Sequence, residues 1–92
     1  MLRIAGPARN YILGQHPDAQ QEILRALREI EANPLSTGEY LPFPWSQGIL
    51  GYSTARYFIT YRMTDGIPEV AAVTRTPTAE DIQREFQERP RP

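Results

Sequence analysis

The 92-residue sequence predicts an α+β fold: two N-terminal helices packed on a small antiparallel sheet, with a short C-terminal helix. Three observations carry this expectation. Residues 6–33 hold apolar side chains at helical spacing between helix start and stop signals. Residues 56–75 hold two apolar runs joined at Asp65-Gly66, a strong hairpin signal. Thr76-Pro77-Thr78 then precedes a second helical pattern.

In chain order, Leu2 to Ile4 is a candidate edge strand or a loose start. Gly6-Pro7 opens the first helix, with Ala8, Tyr11 and Ile12 as its apolar stripe and Gly14 as its end. His16-Pro17-Asp18 opens the second, either with Asp18 and Gln21 as a capping box or with Pro17 at the first position. Ile23, Leu24, Leu27 and Ile30 mark its inner face, while Glu22, Arg25, Arg28, Glu29 and Glu31 take the wet face. Asn33-Pro34 stops it, and the two helices form an antiparallel pair.

Residues 34–48 read as an irregular loop with three prolines, long for a compact domain. Its Tyr40, Phe43 and Trp45 either tuck onto the core edge or form an aromatic patch for a partner. Ile49 to Ser53 is a further strand, pairing with Arg56 to Met63. In the hairpin, pairing outward from the turn sets Thr64 opposite Ile67, Arg62 opposite Glu69, Phe58 opposite Val73 and Arg56 opposite Arg75. Tyr57, Ile59, Tyr61 and Met63 with Val70 and Ala72 then form the core face. Arg56, Phe58, Thr60 and Arg62 with Glu69, Ala71, Val73 and Arg75 form the other. In the last helix, Thr76 or Thr78 is the N-cap, Glu80 and Asp81 fill the first turn, and Ile82 and Phe86 lie one turn apart. Residues 1–92 are expected to form one domain, with 88–92 a loose tail.

Composition narrows the chemistry. Cysteine is absent and histidine occurs once, at a cap position, so no metal centre, thiolate chemistry or cofactor is expected. No Gly-rich phosphate loop or nucleophile elbow is present. No apolar run is long enough to span a bilayer and no signal-peptide pattern opens the chain, so no membrane partner and a cytoplasmic location are expected. All ten basic residues are Arg, and the formal net charge is −1. Residues 41–75 carry three Arg against two acids, the one segment with positive excess, so any nucleic-acid contact must be local.

Arg56 and Arg75 are therefore the candidate catalytic residues, and Arg56, Phe58, Arg62 and Arg75 the candidate nucleic-acid or anion site. Guanidinium forks suit phosphate and a phosphoryl transition state, and Phe58 can stack a base. The usual general base is missing: Lys is absent, and His16 gives no sign of lying nearby. The same arginines equally suit a solvated sheet face or an acidic partner segment.

Arg56-Tyr57-Phe58-Ile59-Thr60-Tyr61-Arg62, the Asp65-Gly66 turn, the terminal basic Arg75, the Asn33-Pro34 helix end and Gly38 together resemble the RelE/ParE superfamily of type II toxin–antitoxin toxins. The resemblance spans roughly residues 5–85, and the strand text is nearer the ParE-like pattern. It implies a growth-inhibiting toxin, acting on DNA gyrase or on translation and neutralised by a cognate antitoxin. The RelE-like branch implies a ribosome-dependent mRNA endonuclease working on a cationic sheet face with ribosome and mRNA as partners. That branch's lysines are absent here, and no Tyr or His follows Arg75. The alternative from another class is a catalytically inert binding module that uses Tyr40, Phe43 and Trp45 or the arginine face.

Overall fold

A computed structural model describes residues 1–41, 48–76, 80, 83 and 84. Its elements run β1 (Arg3–Ile4), α1 (Gly6–Leu13), α2 (Pro17–Ala32), α3 (Pro34–Thr37), β2 (Glu39–Tyr40), β3 (Ile49–Ser53), β4 (Tyr57–Thr64) and β5 (Ile67–Arg75). The fold class is the expected one, with helices on one face of a sheet ordered β1-β5-β4-β3-β2. Phe43 and Trp45, and most of the expected C-terminal helix, lie outside the described residues.

As expected, a proline sits in the first turn of each helix, Pro7 second in α1 and Pro17 first in α2, where its missing N–H is tolerated. His16, with extended φ and ψ, is the N-cap of α2 and makes no side-chain cap bond, so Asp18 is a first-turn residue and not a cap. Ala8 and Ile12 of α1 and Ala19, Ile23, Ala26, Leu27 and Ile30 of α2 meet Leu50, Tyr57, Ile59, Tyr61, Val70 and Val73 of the sheet in one core. Leu24, expected inside, stays 38 % exposed; the small Ala19 and Ala26 take the inner positions and let α2 sit close. Each large apolar side chain buried here contributes roughly 1.5–3 kcal/mol. No helix among the described residues is long and apolar enough to cross a membrane.

Three sheet features depart from the expectations. β1 pairs in parallel with β5, Arg3 with Glu69 and Ile4 with Val70, so the sheet is mixed. The Ala5 N–H extends this pairing to the Val70 carbonyl at 2.9 Å. Part of the expected 34–48 loop is ordered into α3 and β2, and β2 pairs Glu39 with Gly51 and Tyr40 with Leu50. The hairpin register holds from the turn to Tyr61 opposite Val70, then shifts, so Thr60 faces Ala72, Ile59 faces Val73 and Tyr57 faces Arg75.

Ala71 is the extra residue of this β-bulge. Without it, strict alternation would carry Val73 to the open face, as expected from sequence. With it, Val70 and Val73 are both buried, at 0 % and 3 % exposure, and Ala71 is exposed. Burying both valines is the favourable outcome that the unpaired residue permits. At the turn, Asp65 (φ 54°) and Gly66 (φ 77°) both take the left-handed conformation, matching the primed turns that fit strand twist.

Candidate functional site

The register decides which candidate residues meet. Directly paired residues share a face, so the face opposite the helices is built in rows. Arg62 of β4 lies between Glu69 of β5 and Ile49 of β3, with Arg3 of β1 beyond Glu69. The next row is Ala72, Thr60, Gly51 and Glu39, and the third is Thr74, Phe58 and Ser53. Ala72, Thr60 and Gly51 are small, so the face has a low floor between Phe58 and Arg62.

Gly51 keeps this row clear. A Cβ on it would come within 2.9 Å of Phe58 Cε2 and 3.0 Å of Leu41 Cδ2. Phe58 is half-buried over this position. It also lines a concavity of about 440 Å³ with Glu39, Tyr40, Leu41, Gly51 and Ser53. Tyr40 is 63 % exposed at the rim. Arg62 pairs with Glu69 as expected, at 3.7 Å. Phe58 and Arg62 thus share the face opposite the helices, about 13 Å apart along the strand.

Arg56 and Arg75 do not join them as a clamp. They are not opposite each other: the bulge sets Arg75 opposite Tyr57, while the Arg56 carbonyl accepts from the Thr76 N–H at 2.8 Å. Arg75 is exposed at the end of β5. The Arg56 side chain reaches the helix layer. Its Nε donates to Glu22 Oε1 at 2.8 Å, and its guanidinium carbon lies 5.9 Å from the Tyr57 ring centroid.

Glu22 is a residue that sequence reading placed on the wet face of α2. Its Oε2 accepts from Thr54 Oγ1 at 2.7 Å and from the Arg56 N–H at 3.1 Å. Thr54 closes the β3–β4 turn in turn, its Oγ1 accepting from the Tyr57 N–H at 2.9 Å. The Thr54 hydroxyl and then Arg56 hold the Glu22 carboxyl below its usual range, against partial desolvation. Glu22 and Arg56 each raise the stability of the other's charged form. No local signal marks this contact, because 34 residues separate its ends.

Three tyrosines do similar work. Tyr61 is wholly buried, its hydroxyl donates to the Pro34 carbonyl, and burial pushes its pKa up. Tyr52 donates to the Glu29 carboxylate, and that bond raises its pKa. Tyr57 stacks edge-on against Tyr11, with centroids 6.3 Å apart, and its hydroxyl donates to Gln15 Oε1 at 3.3 Å. As expected from register, Tyr57 and Tyr61 face the helices and supply no base to the open face. Among the described residues no His, Asp or Glu cluster suited to a metal ion occurs.

No family profile and no curated protein matches the chain by sequence. In structure it resembles a chain of the RelBE2 toxin–antitoxin complex of Mycobacterium tuberculosis. The TM-score is 0.71 at 19 % identity, covering 83 % of this chain and 96 % of that one. At that identity the likeness shows the fold: helices packed on one face of a five-stranded sheet.

Proposed function

We propose that the chain is the toxin of a type II toxin–antitoxin pair, acting in the cytoplasm and neutralised by a cognate antitoxin. The observation that carries the reading is the fold shared, over 83 % of this chain, with a chain from a toxin–antitoxin complex. The hairpin text that resembles the RelE/ParE toxins supports it independently.

Of the two modes of action, binding to a target such as DNA gyrase is favoured over RNA cleavage. Cleavage by the RNA's own 2′-hydroxyl needs a base, an acid and cationic stabilisation converging on one phosphate. Here Arg56 is engaged by Glu22, Arg62 by Glu69, and Arg75 lies opposite Tyr57. One observation favours the second reading, ribosome-dependent cleavage of mRNA. Phe58 lies half-buried on the same face as Arg62, beside a concavity of about 440 Å³, and its ring can stack a base. In that reading Arg62 supplies the charge, because Arg75 lies in the helix-facing row with Tyr57. A third reading, an inert binding module, rests on exposed Tyr40 at the same concavity.

Induction of the protein alone should arrest growth, and co-expression of a small neighbouring reading frame should restore it. Unimpaired growth on induction would sink the toxin reading. Purified protein that blocks supercoiling, with messages left intact, supports gyrase as target. Message cleavage abolished by Arg62→Ala, with far-UV circular dichroism unchanged, would establish the nuclease reading instead.

A further inference from the structure

The first row of the sheet face holds Arg3 and Arg62 around Glu69, but the concavity at the β2–β3 edge is acidic. Glu39 is its charged lining residue, set among the hydroxyls of Thr37 and Ser53 and the rings of Tyr40 and Phe58. Glu39 is exposed, and the ion pairs among the described residues, Met1–Glu31, Arg56–Glu22 and Arg62–Glu69, do not use it. Arg25 and Arg28 line a separate groove on α2. The Phe58 ring lies over Gly51, and Glu39 is the β2 partner of Gly51. Ring and carboxylate therefore meet across one strand spacing, about 5 Å. β2 is the last strand of the sheet, and no strand among the described residues pairs with its outer edge.

We propose that this concavity takes an arginine side chain from an extended segment of a protein partner lying along the β2 edge. A guanidinium is planar, so it can stack on the Phe58 ring while its N–H groups fork onto the Glu39 carboxylate. The exposed Tyr40 ring at the rim covers the arginine stem. The segment's backbone bonds the outer edge of β2, as a strand added to a sheet does. Charge selects the occupant. An acidic segment, or the phosphate that a stacked nucleotide brings, would meet Glu39 with no cation in the lining to offset it. The inference deepens the binding reading of this concavity and rests on that reading alone. Its readout is binding, so growth on induction bears on the toxin reading and not on this one.

The test uses the whole chain and a fluorescein-labelled five-residue peptide alternating Val and Arg. Fluorescence anisotropy should show binding that Glu39→Gln and Phe58→Leu each weaken roughly three- to fivefold. Glu31→Gln, which removes an exposed carboxylate from α2, should leave it unchanged. Amide shifts on peptide addition should centre on Glu39, Tyr40, Gly51 and Ser53. Four outcomes overturn the proposal: no anisotropy change, equal weakening by Glu31→Gln, equal binding of the peptide with Glu in place of Arg, or tighter binding of a labelled single-stranded oligonucleotide. Unchanged far-UV circular dichroism separates lost binding from lost fold, and Glu39→Gln, at an exposed position, carries the test if Phe58→Leu disturbs the sheet.

Discussion

Tyr61→Phe removes one oxygen atom from the centre of the protein. Tyr61 is wholly buried, paired with Leu50 on one side and Val70 on the other. Its hydroxyl donates to the carbonyl of Pro34, the first residue of α3, and lies close under Gly38. The phenol therefore ties the centre of the sheet to the segment that follows α2. Losing it leaves a carbonyl acceptor without its partner and a void of hydroxyl size. An unsatisfied buried partner costs about 1–3 kcal/mol, and Pro34 is only half-buried, so the expected loss is about 1–2 kcal/mol. For a domain of this size that lowers Tm by roughly 4–15 °C, against a total stability on the order of 5–14 kcal/mol. Urea unfolding followed by circular dichroism measures it, with the slope of ΔG against urea unchanged. Because burial raises the Tyr61 pKa, its contribution is fully present below the unfolded value near 10 and is lost as pH rises through the folded value. Stability of Tyr61→Phe within 0.3 kcal/mol (roughly the noise of such measurements) would refute the tether.

Three further outcomes are expected. Glu22→Gln should unfold at lower temperature than the parent at neutral pH. Because the Glu22 pKa is lowered on folding, the gap should close as pH falls from about 4.5 through the folded value, as thermal melts between neutral and acid pH will show. Gly51→Ala should cost about 2 kcal/mol, since its Cβ meets Phe58 and Leu41, and should shift the aromatic NMR signals of Phe58. Gly66→Ala places a side chain at φ 77° with open space around it, so it should cost about 1 kcal/mol through backbone strain alone, with the open-face amide shifts unmoved.

Much of the candidate site was legible at the level of single elements. The Asp65-Gly66 turn, the Arg62–Glu69 pair, and the inward placing of Tyr57 and Tyr61 follow from turn chemistry and strand alternation near the turn. Beyond Tyr61 the expected pairing with β5 failed, because alternation counted from the turn cannot register an extra residue. The bulge at Ala71 is chosen by burial of Val73 against the helices. That choice also undid the expected facing of Arg56 and Arg75.

What the sequence determined by itself is what neighbouring residues decide together: where α1 and α2 begin and end, where the chain reverses, and the absence of thiol chemistry or a general basic field. Helix and turn preferences act over a few residues, so they can be read from a few residues. Tertiary structure alone decided the rest. It set β1 in parallel beside β5, formed β2 inside an apparent loop, and brought Glu22 to Arg56 across 34 residues. Such contacts form only when the core closes, because the burial of α2 against the sheet supplies the free energy that fixes both partners in place. The availability of each arginine, and with it the chemistry open to this face, is a property of that closed core.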